Sequence, residues 1–452
     1  MNSESLRPAV ENHYSITSTH KGIFKIDLFH FAITFSLYPY VTLGALSFPT
    51  EVQPWAALIS WIAVGVMFAR GQLHYDSFYS ITLFFALLFL VYIPISDSIE
   101  MGQYLRKSMS ILLCFSILFA ARGLTAGKII ALLKMSAIIW LVFGLLGLFF
   151  PSDYLQIVQK IVPGALGAYG SRGVTSLAPE ATDFGFTMVY FWVLALIASN
   201  AEQARNRNGA PTWLFFVIML NIFISGSASG IFSLALLQIV YWSTFDSAQQ
   251  KNKLSTNTIL LAIFVLTLFG LFVSLLPNTG IRGLDLMAQS LHNPWMLVDT
   301  TLSYRLAHNL VGVYGLFDSN FLGWGAGSFT EKGIEVYSRY DISGMLGVQG
   351  WYRENIPQTL KTSPLAIFPV LIFEYGIFGL AFILYIYFSV FRSEVMAKYM
   401  VATLLFLTWA QSFPLAYPLF WLVLGLIRNA DFATSNRKDI RSGFDPKSGF
   451  AL

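Results

Sequence analysis

Apolar segments of some 17 to 25 residues recur along most of this chain, the length needed to cross a hydrocarbon core of about 30 Å as a helix. Hydrophobic residues make up 56 % of the 452 positions and charged residues only 12 %, so lipid rather than water must be the main solvent. A spanning segment without water has to satisfy its backbone internally, and the alternation of a barrel strand is absent; helices remain. The expected fold is therefore an all-α integral membrane protein, 1–452 forming a single polytopic domain. Twelve spans are predicted, over residues 29–48, 55–69, 78–95, 110–121, 129–150, 183–198, 213–225, 226–242, 258–276, 364–391, 395–412 and 415–427. No internal repeat, low-complexity segment, soluble domain or cleavable signal peptide is evident. The single cysteine, Cys114, lies within a span and excludes intramolecular disulfides.

Orientation follows from the short loops, which carry Lys and Arg on the cytoplasmic side. One side holds Arg7, Lys21, Lys25, Arg70, Arg122, Lys128, Arg205, Arg207, Lys251, Lys253, Arg392 and Lys398, with a tail (429–452) containing Arg437, Lys438, Arg441 and Lys447 just beyond Arg428. That assigns both termini to the cytoplasm. The other side has basic-free turns, an exception at Arg106 and Lys107, and two longer outer loops, 151–180 and 277–363. A connection as long as the second is uncommon and usually functional. It mixes Arg282, Arg305, Lys332, Arg339, Arg353 and Lys361 with Trp295, Trp324, Trp351, Tyr304, Tyr337, Tyr340 and Tyr352. Such a mixture suits a ligand with phosphate at one end and sugar at the other; an interfacial aromatic belt with headgroup-binding cations is the competing reading.

Four short stretches carry candidate chemistry. In SRGVTSLAPE (171–180), Pro179 is expected to start the following helix and to leave Glu180 on its first turn, as a cap, as a general base or as an orienter of Arg172. In TTLSYRLAH (300–308), Arg305 and His308 share a helical face at a spacing of three, which lets a cation bind an anion while imidazole takes a nearby proton. SGSASG (225–230) permits a sharp turn and close backbone approach. Glu374 falls about ten residues inside a span, roughly 15 Å deep at about 1.5 Å per residue, where its charge needs a partner or a proton. Gly376 and Gly379 after it allow close helix packing. The glycines of GWGAG (323–327) lack the parallel sheet of a dinucleotide site, and no P-loop, HExxH or Asp-x-Asp pair occurs; no metal ion, nucleotide or nucleic-acid partner is expected.

In order and in loop placement, SRGVTSLAPE, SGSASG, Ser303-Tyr304-Arg305 followed by GWGAGS, and FEYGIFG (373–379) resemble the O-antigen polymerase and O-antigen ligase superfamily, over residues 151–391. The resemblance implies a GT-C-like fold in a bacterial inner membrane. It implies a metal-independent glycosyltransferase that joins undecaprenyl-pyrophosphate-linked oligosaccharides as donor and acceptor, working with a chain-length regulator. By the same implication Arg172 and Arg305 hold the pyrophosphate, Glu180 or His308 is the base, and Trp324, Trp351, Arg353 and Glu374 contact glycan or support the site. Two departures bear on the branch. Ser227-Ala228-Ser229 stands where many relatives have an arginine, and Thr362-Ser363 where ligases carry a histidine. The second favours polymerase over ligase; a lipid-linked glycan flippase is the remaining alternative.

Overall fold

The computed structural model describes residues 28–43, 52–69, 71, 76–92, 101–165, 173–205, 207–249, 301–348, 350–362, 367–393, 395, 397–410, 414, 416–429 and 432. Among these the chain is helical and contains no strand. Among the described residues, nine α-helices precede the large outer segment: α1 Leu28–Ser36, α2 Trp55–Ala69, α3 Ser77–Val91, α4 Met101–Ala120, α5 Ala126–Phe149, α6 Pro151–Ile161, α7 Ala181–Ala204, α8 Thr212–Ser225 and α9 Ala228–Gln249. Then come α10 Thr301–Asp318, α11 Phe329–Arg339, the single turn α12 Ile342–Met345, α13 Gly350–Thr362, α14 Ile367–Phe391, α15 Lys398–Ala410 and α16 Pro418–Leu426. Helices α5, α7 and α14 are long and apolar enough to cross a membrane, and α2, α3, α8, α9 and α15 are shorter apolar helices. On α5 the exposed residues Met135, Ile138, Val142 and Leu146 recur at helical spacing, an apolar outer stripe that only lipid would leave uncharged. This fits an α-helical membrane protein. Burial reaches 78 % of the apolar window of α7 against 39 % for α5, which puts α7 at the centre of the bundle.

Local chemistry moves several boundaries away from the apolar runs. Within the expected first span, 29–48, the helix ends at Ser36 and the described residues after it, 37–43, are not helical, because Pro39 has no N–H to continue a helix and disfavours helical geometry in the residue before it. The Pro39 carbonyl instead accepts from Gln53 N–H at 2.7 Å. The weak fourth span, 110–121, lengthens to Met101–Ala120, since the polar turns holding Arg106 and Lys107 are good helix formers although not apolar. Helix α7 starts two residues later than Pro179 suggested, at Ala181: Glu180 is its N-cap, in extended conformation. The ninth expected span, 258–276, and the tail 433–452 lie outside the described residues.

Two apolar cores result. The larger belongs to the bundle, and the smaller gathers Tyr304, Ala307, Val311, Phe329, Val336, Tyr337, Ile356 and Leu360 of the large outer segment with Val370 and Phe373 of α14. What reads in sequence as one long loop thus contains a packed helical unit, α10 to α13. Helix α14 is not continuous: Gly376 adopts φ 57°, ψ −132°, and the chain bends there. Residues 367–375 face both cores, with Val370 and Phe373 toward the outer unit and Leu371, Ile372 and Tyr375 toward the bundle. Gly379 lets the two halves close on each other, since a Cβ there would strike the Leu371 carbonyl. The two ends of α3 mark the two ends of the bundle. Tyr92, at its C-terminus, donates to the Leu322 carbonyl of the outer unit, whereas its N-terminus meets Arg122 and Arg428.

Candidate functional site

The site is assembled where the outer unit meets the N-terminus of α7. The segment leading into α7 is clamped from several sides. A Cβ on Gly173 (φ +83°) would collide with the Ser225 carbonyl, so the loop lies directly on the SGSASG turn. Ser176 sits at φ 48°, a conformation that costs a non-glycine residue of order 1–3 kcal/mol unless neighbours hold it. They do: its hydroxyl donates to the Trp140 carbonyl at 2.7 Å and its own carbonyl accepts from the Tyr154 hydroxyl. That phenol also lies 3.0 Å from Thr175 Oγ1, and burial pushes its pKa up to about 12, which keeps it protonated. Below the loop, Gly185 of α7 and Gly230 of α9 meet backbone to backbone; a Cβ on Gly230 would lie 3.1 Å from Gly185 Cα.

Glu180 occupies the N-cap position, yet its side chain makes no capping hydrogen bond, and the residue is exposed. The cap is therefore its backbone's role, and the carboxylate is available at the mouth of the helix. One turn on stands Asp183, half-buried. Arg305, from α10, lies within electrostatic reach of this pair. Burial pulls its pKa below the ordinary arginine value, while the charges of Asp183 and Glu180 oppose that shift. The residue as a whole is half-buried. Asp183 was visible in the sequence only as the first residue of a span. The overlooked signal was its spacing of three from Glu180, which puts both carboxylates on one side of the first turn, where the helix dipole favours negative charge.

His308 takes a different direction. It is fully buried, its Nε2 lies 3.1 Å from Thr359 Oγ1, and its ring packs 5.9 Å from that of Phe329. Thr359 gives its own proton to the Ile356 carbonyl at 2.8 Å, so it can only accept from the imidazole, which assigns the proton to Nε2. Burial lowers the His308 pKa from 6.5 to about 3. The expected cooperation of Arg305 and His308 on one face is thus not what the fold builds: one faces α7, the other the outer core. A pH effect follows. With the folded pKa below the unfolded one, the stability conferred by neutral His308 is complete above about pH 6.5 and is lost as pH falls toward 3, by at most about 1.4 kcal/mol per unit. Denaturation of the purified protein at pH 6.5 and pH 5 should show a loss up to about 2 kcal/mol larger in the native sequence than in His308→Gln; equal losses would mean that His308 is accessible.

The remaining candidates support the frame. Loop residues 321–325 pair with the break in α14. Trp324 N–H donates to the Phe373 carbonyl at 2.9 Å, Gly325 N–H to the Glu374 carbonyl at 2.8 Å, and Ile377 N–H to the Phe321 carbonyl at 2.8 Å. The GWGAG and FEYG motifs are thereby two sides of one joint. Glu374, 1 % exposed, accepts from Phe329 N–H at 3.4 Å and so serves the N-terminus of α11. The Trp324 indole donates to the Gly315 carbonyl at 3.1 Å. Arg353 is exposed, 3.9 Å from Asp341. Trp351 lies on α13, its side chain outside what is described, and Arg172 lies outside the described residues. Comparison of the chain with protein-family models, curated proteins and solved structures finds no match.

Proposed function

We propose that the protein is a polymerase that extends a lipid-linked glycan at the outer face of a bacterial inner membrane, with twelve spans in a GT-C-like arrangement. The feature that carries this reading is the electrostatic proximity of Arg305 to Glu180 and Asp183, which brings together two motif segments far apart in sequence, at the end of the bundle opposite the basic cluster of Arg122 and Arg428. The resemblance of the same segments to the O-antigen polymerase superfamily supports it.

In this reading a hydroxyl of one undecaprenyl-pyrophosphate-linked repeat attacks the anomeric carbon of another glycan. The new carbon–oxygen bond forms as the bond to the pyrophosphate oxygen breaks, and undecaprenyl pyrophosphate leaves with the electron pair. Glu180 receives the hydroxyl proton. Arg305, with Arg172 as the resemblance implies, meets the charge that grows on the leaving group, and fixed cations in a partly dry site are the form of catalysis that contributes most. Asp183 holds the Arg305 guanidinium in place through the reaction. His308, committed to Thr359 and too weak a base near neutral pH, packs the outer unit. Trp351 and Arg353 are left as glycan contacts, and no metal or nucleotide takes part.

Deletion of the gene tests the assignment through the surface glycan pattern on gels. Single repeat units attached to lipid A core are expected. Accumulated lipid-linked polymer would indicate a ligase instead, and repeats trapped on the inner face a flippase.

A further inference from the structure

Helix α6 lies beside the candidate site, and the reaction proposed above gives it no part. Phe150, at φ −132° and ψ 59°, ends α5, and Pro151 opens α6 at once. The chain then folds back. A Cβ on Gly147 would lie 2.6 Å from Val174 Cγ1 and 3.2 Å from the Tyr154 ring, so Tyr154 covers the last turn of α5. At the far end of α6 the Ile161 carbonyl accepts from the N–H and the hydroxyl of Thr42, at 2.8 and 3.2 Å. A helix of 11 residues, about 16 Å long, therefore runs across the bundle from α5 to the segment after α1. Its faces differ in chemistry. Tyr154 and Val158 are buried against the bundle, and Ser152, Asp153, Gln156, Gln159 and Lys160 are exposed on the opposite side. On the flank between them stands Ile157, also exposed and two helical turns past the exposed Phe150.

We propose that the flank formed by Phe150 and Ile157 is embedded in lipid, which makes α6 an interfacial helix at the level of the headgroups. Continuity with the lipid-facing stripe of α5 identifies the occupant. Met135, Ile138, Val142 and Leu146 are followed at helical spacing by Phe149, and Phe150 and Ile157 carry the exposed apolar surface past the turn. The length of α5 agrees. From Lys128, near its start, to Phe149 it rises about 31 Å at about 1.5 Å per residue, one hydrocarbon thickness of about 30 Å. The turn into α6 thus falls at a boundary of the hydrocarbon core. There an amphipathic helix sinks its apolar side about 5–10 Å and leaves its polar face in water. The Tyr154 hydroxyl holds the Ser176 carbonyl, so the depth of α6 sets the level of the segment that ends in Glu180. Nothing in this assignment depends on glycan chemistry.

The test uses the full chain in vesicles of phosphatidylethanolamine and phosphatidylglycerol. A nitroxide is attached in turn to Phe150→Cys, Ser152→Cys, Gln156→Cys and Ile157→Cys, all exposed positions where substitution leaves packing intact. Power-saturation EPR then compares collisions with oxygen, which concentrates in hydrocarbon, and with a nickel chelate, which stays in water. Buried Cys114 makes the parent protein the blank, and its failure to label in each variant shows that the fold is kept. Nitroxides on Phe150→Cys and Ile157→Cys should favour oxygen and lie about 5–10 Å below the lipid phosphates, whereas those on Ser152→Cys and Gln156→Cys should favour the chelate. Chelate access at Ile157→Cys equal to that at Gln156→Cys would put the flank in water. Shielding of Phe150→Cys and Ile157→Cys from both reagents would mean that protein, a second copy or another part of this chain, covers them. Either result overturns the proposal.

Discussion

Replacing Gly376 by alanine should destabilise the protein by about 3–5 kcal/mol, the sum of backbone strain and overpacking at one position. At φ 57° and ψ −132° the residue occupies a region that side chains avoid, and a Cβ there would collide with the Phe321 carbonyl oxygen and the Leu322 carbonyl carbon, 2.6 Å from Gly323 N. Neither side of this contact can yield cheaply. The Phe321 carbonyl accepts from Ile377 N–H, and the next residues of the loop are tied to the Phe373 and Glu374 carbonyls. Relieving the clash therefore breaks the joint that fixes the outer unit to the bundle. Gly347 supplies the comparison: its φ is +64°, but a Cβ would meet nothing within 4 Å, so its alanine variant should lose only about 1 kcal/mol. Cys114 reports unfolding well, being the single cysteine and 3 % exposed. Its reaction with a thiol dye during heating should start at a markedly lower temperature in Gly376→Ala than in Gly347→Ala. Equal shifts would mean that the joint is not rigid.

That joint shows where sequence reading stops. The GWGAG and FEYG motifs stand out in the sequence, whereas Gly376 and Gly379 read there as packing glycines of a straight helix. Apolar residues continue on both sides of Gly376, and a hydropathy pattern has no term for one residue's backbone angle. Conversely, the helical character of the chain and its apolar outer faces follow from composition and spacing alone. Pro39 was legible and overlooked: it sits inside a span drawn from hydropathy. The pairing of Arg305 with His308 failed for a geometric reason. Residues three apart on a helix differ by about 60° around the axis, and α10 lies between two neighbours, so that offset sends His308 into the outer core and Arg305 toward α7. Which partner each side chain meets depends on contacts between separate segments, Thr359 for His308 and the start of α7 for Arg305, and local spacing carries no information about them.

Glu180→Gln should lower polymerisation by about 10²- to 10⁴-fold, the range associated with losing a general base, while the protein accumulates normally. The second half of that expectation is what separates catalysis from capping. Loss of a side-chain cap costs roughly 0.5–2 kcal/mol, but the Glu180 carboxylate makes no such bond, and glutamine preserves its size. Arg305→Glu goes further, setting three carboxylates against a pyrophosphate and leaving no polymer. Arg172→Glu should act in the same direction. Arg305→Lys should fall between, since a lysine keeps the charge without the planar fork that binds two oxygens. Because Arg305 and Glu180 interact, the double change Arg305→Ala with Glu180→Ala should cost less than the product of the two single losses. The measurement is glycan length on gels from cells complemented with each variant, with membrane abundance checked by immunoblot. Full-length polymer from both Glu180→Gln and Arg305→Glu at normal abundance would remove the site from the reaction, whatever the deletion strain shows.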